Sequence, residues 1–476
     1  IKAKVRDRTM QSESTKRTYQ GVRVEYTSKP VSGWGGIVSF TRFMQGLGVR
    51  ELLDRALPDG RTSNNQVGVT DMILQFMVTV LTGGKRFEHV ERIRGDEVVR
   101  VAVGAKRFGS PSSLTRYLGN FLPSQTEHLQ ERLMEMVFGT LGSGSDVLDL
   151  DSTVFIRYGK QEGSSRGYNP HKRKLVSHHP LLAMLAKTKV IVHAWLRAGS
   201  ASPHRGAQEF LRELVSQLPK NFHIEALRAD SGFYSKAFLS LLEELGIPYV
   251  LATNMERNFK SWCASRPGWQ PVSSDIDVTE GRYESSKQRG VFRRMVIIRK
   301  AIRRDKDNVL FVITDYKYQA FVTTLSTEAV DVWRFYMKRG DCENRIKELK
   351  YDFGADSFCL HSFTGTEAAF RLIVFTFNLM AIFNTAILRD PKITLGMVRH
   401  KVFVIGALVG TSGRKTILRL GLKNRWREEF ETLLIRLSSW TTSTAAQLVQ
   451  TLETRGSERP SPWKLRTNPM RFLLPN

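Results

Sequence analysis

Residues 146–159, DVLDLDSTVFIRYG, alternate with a period of two, which sends Val147, Asp149 and Asp151 to one side and Leu148 and Leu150 to the other. The alternation predicts a β-strand in which acids share a face. An acid in a strand core is expensive unless it binds something. This one stretch therefore asks for a buried sheet and for a functional surface on it.

The residues that follow supply the rest of such a sheet. LLAMLA and VIVHAWLRAG read as strands, AQEFLRELVSQL as a helix, and HIEALRAD as a strand ending in Asp230. SGFYSKAFLSLLEELG is then a helix and IPYVLATN a further strand. Three strands, helix, strand, helix, strand is the order of a ribonuclease-H-like α/β core. In such a core the first and fourth strands are neighbours, so Asp151 and Asp230 can meet across 79 residues of sequence. Asp149 competes with Asp151 for the first place, but it lies roughly 6–7 Å further down the strand. The Ser-Thr that follows favours Asp151, leaving Asp149 to support the sheet.

A second feature is a charged stripe in FYMKRGDCENRIKELKY. On one continuous helix, at about 100° per residue, Tyr336, Arg339, Glu343 and Lys350 fall within a sector of about 60°, with Lys347 beside them. A solvated helix face is the ordinary reading of mixed charge. A carboxylate among cations and a phenol is also suited to holding a metal ion with one residue and phosphates with the others. Glu343 is 113 residues beyond Asp230, and a helix packed across the strand ends would bring it to the two Asp residues.

Around this core the expected division is a basic arm (1–30), a helical DNA-binding domain (31–141) and a GSGS linker at 142–145. The core occupies 146–255 and 331–392, interrupted by a β-rich insertion (256–330) containing GRYES, FRRMVIIRKAI and NVLFVITDY. A basic, mainly helical C-terminal domain (393–476) ends in SERPSPWKLRTNPM. The apolar run AAFRLIVFTFNLMAIFNTAIL is broken by Arg371, Asn378 and Asn384, which predicts a buried core helix rather than a membrane span.

The chain carries 72 Lys+Arg against 46 Asp+Glu, a net charge of +26, which favours a polyanionic partner such as nucleic acid. From Gly396 onward there are fourteen Lys/Arg against five Asp/Glu. Cys263, Cys342 and Cys359 lack CxxC spacing, and the histidines form no HExxH pair, so neither a disulfide framework nor a His-built metal site is expected. No apolar leader is visible at the charged N-terminus, and Ile1 is not a start Met.

DLDSTV, RADSGFY and Y-x2-R-x3-E-x6-K together resemble the signature regions of bacterial insertion-sequence transposases of the DDE class, which have a Tyr-Arg-Glu-Lys signature and a β-insertion. GKQEGSSRGYNPHKRKLVSHHPLL (159–182) and RAGSASPHRGAQEFL are similar to segments of one branch, and PSSLTRYLGNF more faintly so. HKRKLVSHH departs from the pattern, lacking the expected Gly or aromatic. The resemblance spans about Asp146 to Leu388. It implies that Asp151, Asp230 and Glu343 bind two Mg²⁺ ions, with Mn²⁺ able to substitute, and that no small-molecule cofactor is used. It further implies that a homodimer in a synaptic complex cuts its element's terminal inverted repeats, through a hairpin, and joins them to target DNA. A cytoplasmic, nucleoid-associated protein with no membrane partner is expected.

Tyr336, Arg339 and Lys350 would then grip phosphates near the cut end, with Lys347 as a further backbone contact. Arg116, outward on a capped helix after Pro111, could enter a DNA groove, although an ordinary surface helix fits equally. Lys172, Arg173 and Lys174 could track DNA backbone or form a solvated loop. Trp262 and Trp269 are candidates to receive a base flipped out of a hairpin, or else pack within the insertion. His178 and His179 read as structural or solvent-facing. Two other readings remain: a silent DNA-binding derivative of such an enzyme, and a nuclease that cuts without joining.

Overall fold

The computed structural model describes residues 26–60, 65–167, 175–284, 290–304, 313–390, 393–438 and 440, with short strands at Thr18–Tyr19 and Val22–Arg23. Most of the expected basic arm and the Pro-rich C-terminal segment lie outside the described residues.

The acidic run forms β1 (Gly144–Ser152), and β2 (Leu181–Leu185) and β3 (Ile191–Trp195) follow it. Helix α1 (Ala207–Gln217) leads to β4 (Phe222–Ala229), and α2 (Lys236–Glu244) to β5 (Tyr249–Ala252). β1 pairs antiparallel with β2 and parallel with β4, β2 pairs antiparallel with β3, and β4 pairs parallel with β5. The first and fourth strands are thus neighbours. Gly144 and Ser145, read as linker, already belong to β1.

The later strands extend this sheet. β6 (Ile276–Glu284), β7 (Phe292–Arg304) and β8 (Ile313–Thr323) are antiparallel, and β8 pairs with β5 through Val250↔Thr323, Leu251↔Val322 and Ala252↔Phe321. With Gln270–Pro271 at one end, the order of the nine strands is Gln270–Pro271, β6, β7, β8, β5, β4, β1, β2, β3. The pairing satisfies backbone groups that β5 would otherwise leave exposed at an edge. A helix, α3 (Arg257–Ala264), lies in this stretch, which the sequence reading had given to strands alone.

The two sides of β1 meet different neighbours, as its alternation requires. Leu148 and Leu150 join the large core built with the N-terminal helices. Val147 joins Val250, Val296 and Phe321 beneath Val332, Phe335 and Tyr336 of α4 (Ala329–Met337). On that same side Asp149 is buried and is the register partner of Arg228 on β4. Arg228 donates from Nε and Nη2 to the two carboxylate oxygens at 2.6 and 2.7 Å, and from Nη1 to the Phe335 carbonyl at 2.7 Å. Its guanidinium also lies 4.9 Å from the Phe335 ring centroid. One buried cation therefore ties β1 and β4 to the C-terminal turn of α4.

Asp146, at the other end of β1, accepts the amides of Val147, Lys187 and Thr188, which anchors the β2–β3 turn. Burial pushes its carboxyl up to about 6, against the opposing pull of those amides and Lys187.

After α4 come α5 (Gly340–Tyr351) and the long apolar helix α6 (Phe363–Phe383). The apolar window of α6 is 89% buried inside the protein. Two of its polar interruptions are engaged: Arg371 donates to Thr126 O at 2.6 Å, and Asn378 exchanges hydrogen bonds with both the amide and the carbonyl of Ile191 on β3.

The C-terminal region departs from the mainly helical expectation. Ala407–Ser412 and Lys415–Leu420 form an antiparallel hairpin to which Val31–Ser32 adds a third strand, before helix α7 (Asn424–Ser438). Gly413, at φ 59°, supplies the left-handed residue that the tight turn needs.

Arg228→Met should cost about 3–5 kcal/mol in urea unfolding, because Asp149 is left buried and unpaired. Adding Asp149→Leu should recover most of that loss. A second check concerns pH. Asp146 binds its proton more tightly folded than unfolded, so its contribution to stability is greatest at low pH and is lost as pH rises through about 6. Relative to Asp146→Asn, the wild type should therefore lose stability between about pH 4 and pH 7, read from paired denaturation curves.

Candidate active site

Asp151 stands near the end of β1, and Asp230 directly follows β4. Because Leu150 pairs with Ala229 in parallel register, both acids leave adjacent strands at the same end of the sheet. Asp230 caps the turn Ser231–Phe233, accepting the Gly232 amide at 2.9 Å. Asp151 accepts the Ser152 amide on Oδ1 at 2.8 Å and meets Arg339 at Oδ2 at 3.0 Å.

Arg339 also reaches the third acid, donating from Nη1 to Glu343 Oε1 at 2.8 Å. Its guanidinium thus bridges Asp151 and Glu343. Burial pushes the Asp151 carboxyl up to about 7; Arg339 opposes that shift, while the charges of Asp230 and Glu343 add to it. The Tyr336 hydroxyl, raised to about 12 mainly by burial, also feels Arg339 and all three acids. Burial works against the Arg339 charge, but Asp151 and then its lesser neighbours hold it protonated. The five groups share one electrostatic site.

The stripe differs from an unbroken helix. α4 ends at Met337 and α5 begins at Gly340. Across the junction the amides of Arg339, Asp341 and Cys342 bond to carbonyls three residues back, which tightens the turn. Tyr336 and Arg339 are buried rather than displayed, and the Tyr336 ring packs 4.4 Å from Phe321. Lys350 donates to Val154 O at 3.1 Å, fastening α5 to the chain just beyond Asp151. Glu343 and Lys347 are exposed, the Glu343 side chain by 53%.

The remaining candidates are dispersed. Arg116 is exposed on the helix Pro111–Gly119, whose Leu114 and Leu118 are buried and whose N-terminus Ser110 caps. Trp262 packs among Phe259, Tyr283 and the Arg266 guanidinium, the last 4.6 Å from its ring centre. Trp269 carries the Arg299 guanidinium 4.3 Å from its ring centre. Both indoles are thus engaged in packing, each with an arginine guanidinium against its ring. Lys172, Arg173 and Lys174 lie outside the described residues.

The sequence reading passed over the residues that assemble the surroundings. Arg228 is one, although its place two residues before Asp230 was a usable signal. Gly199 is another: a Cβ there would fall 2.0 Å from Ser177 O and 2.3 Å from Ser165 O, where three stretches of backbone cross. His178, expected to be structural or solvent-facing, is buried, and burial lowers its pKa to about 4.

An all-carboxylate donor set suits a hard divalent cation such as Mg²⁺ or Mn²⁺. Among the described residues no three Asp, Glu, His or Cys side chains already close around one point. Arg339 stands between Asp151 and Glu343 and supplies the positive charge there. Asp151, Asp230 and the exposed Glu343 are the carboxylates there that could supply such a set.

The chain belongs to the DDE transposase group 1 family: the family model "Transposase DDE domain group 1" matches residues 14–442. No curated protein matches the sequence. Among solved structures, a piggyBac transposase synaptic complex with hairpin DNA is 10% identical over 93% of this chain and 89% of that one, at a TM-score of 0.43. So slight a likeness carries no weight for function.

Gly199→Ala should lower stability by about 1–3 kcal/mol, since backbone oxygens cannot give way to the new methyl. A fall in melting temperature checks this, and a surface control such as Gly95→Ala should change little, since Gly95 is exposed at φ −84° with open space around it.

Proposed function

We propose that this protein is a DNA transposase with a ribonuclease-H-like core that binds the terminal inverted repeats of its element, cleaves their ends and joins them to target DNA. The observation that carries the reading is the placement of Asp151 and Asp230 at the same end of neighbouring parallel strands, with Glu343 linked to Asp151 through Arg339. Membership of the DDE transposase group 1 family supports it.

Asp151, Asp230 and Glu343 would hold two Mg²⁺ ions, which when bound activate a water or 3′-hydroxyl and stabilise the departing oxygen of a phosphodiester. Glu343 would exchange its ion pair with Arg339 for that role. Arg339, planar and always charged, is then available to a phosphate oxygen near the reacting bond. Lys350 keeps the chain beyond Asp151 against α5, so that the carboxylates hold their spacing while DNA is bound. Tyr336, neutral at physiological pH, can donate its hydroxyl to a phosphate but cannot act as a base there. Lys347 and Arg116, both exposed, are proposed backbone contacts, and the basic excess would draw in the two DNA ends of a dimeric synaptic complex. The hairpin step belongs to this proposal without an assigned base receptor.

The test is a cleavage and strand-transfer assay with end DNA and Mg²⁺. Wild type should nick and join, and Asp230→Ala should bind the same DNA while losing both reactions. Binding without cleavage by wild type would point to a silent DNA-binding protein. Cleavage without joining would point to a nuclease.

A further inference from the structure

The loops flanking the three acids are joined by two buried arginines set about one pair of histidines. Beyond Asp151 the chain forms a short ladder in which Phe155–Ile156 pairs with Ser177–His178. His178 in turn bridges to Ala198, and Ser165 to Ser177. Arg157 and Arg197 lie on either side of this ladder, 2% and 8% exposed.

Arg197 donates from Nε to His179 O at 3.0 Å. Its Nη1 faces the carbonyls of Ser202, Pro203 and Arg205 at 3.1, 3.4 and 2.7 Å. Those carbonyls belong to the loop that leads into α1. Its Pro203 lies against the Asp230 turn: a Cβ on Gly232 would come within 2.8 Å of Pro203 Cγ. Gly232 is the residue whose amide orients the Asp230 carboxylate. Arg197 therefore joins the segment beyond Asp151 to the turn that aims Asp230.

Arg157 does the same toward the third acid. Its Nε donates to His178 Nδ1 at 3.0 Å and its Nη1 to Asp356 O at 2.5 Å, just beyond α5. His178 Nε2 is 2.9 Å from Glu162 O, which can only accept, so Nδ1 is the unprotonated nitrogen that takes the Arg157 bond. Glu162 closes the circuit, its amide bonded to His361 O and its carboxylate to the Phe363 amide at the start of α6.

We propose that Arg157 and Arg197 are positioning residues for the cleavage reaction, holding Asp151, Asp230 and Glu343 in register through His178–His179. The inference rests on the assignment of those acids under the proposed function. The physical argument is geometric. A buried guanidinium can satisfy several carbonyls in one plane and fix the loops that carry them, whereas a displacement of about 1 Å in a reacting group can cost on the order of 100-fold in rate.

The test uses full-length Arg197→Gln, Arg157→Gln and the two Lys variants, with Asp230→Asn as the control. Mn²⁺ binding to the DNA-free protein is followed by electron paramagnetic resonance, beside end-DNA affinity, melting temperature and nicking rate. The Gln variants should bind end DNA as wild type does, need about fivefold or more Mn²⁺ for half-saturation, and nick at least about tenfold more slowly. The Lys variants should fall between them and wild type. Folded Gln variants that match wild type in Mn²⁺ binding and nicking would overturn the proposal. If the Gln variants fail to fold, Lys variants that match wild type would do so instead. An Asp230→Asn control that binds Mn²⁺ and nicks normally would instead remove the assignment of the acids, a separate failure.

Discussion

The buried Asp149–Arg228 pair is the constraint on which the geometry of the site depends. Its two partners face each other across β1 and β4, and the third donor of Arg228 goes to the Phe335 carbonyl at the end of α4. That donor decides where the chain turns from α4 into α5, and hence where Arg339 and Glu343 arrive relative to Asp151. An isolated charge at this depth would be prohibitive, and the arrangement is tolerable only because both carboxylate oxygens and the guanidinium are satisfied.

Arg339 has the complementary task at the end of the sheet where Asp151 and Asp230 lie. Burial is the main cause of the Asp151 carboxyl's rise to about 7, and repulsion from Asp230 and Glu343 adds to it. A guanidinium placed between Asp151 and Glu343 offsets that repulsion and ties the two acids to one cation. The structure thus assembles the carboxylates around a cation of its own. The exposed one, Glu343, remains the most free to change partner.

Much of this was legible from local pattern. The alternation in DVLDLDS gave β1 and its two faces, and HIEALRAD placed Asp230 just past β4. Apolar patterning marked the helices on either side of β4, and the long apolar run marked α6. The stripe was harder, because helical spacing assumes uniform bonding, and the i→i−3 bonds between Met337 and Gly340 break it. The hairpin at 407–420 was missed because a basic composition says little about whether a surface element is strand or helix. The partners of Arg157 and Arg197 were not legible, since all but His178 are backbone carbonyls that carry no side-chain signature.

By itself the sequence determined the identity and order of the core elements, the acids at their ends and the strong positive charge of the chain. Those properties follow from residue chemistry and from periodicities a few residues long. Only the tertiary structure decided which acid pairs with which cation. Asp149 finds Arg228 79 residues away, and Arg157 reaches the Asp356 carbonyl 199 residues on. Such choices follow from register, burial and the need to satisfy every buried charge, and none of these is set until the sheet has formed.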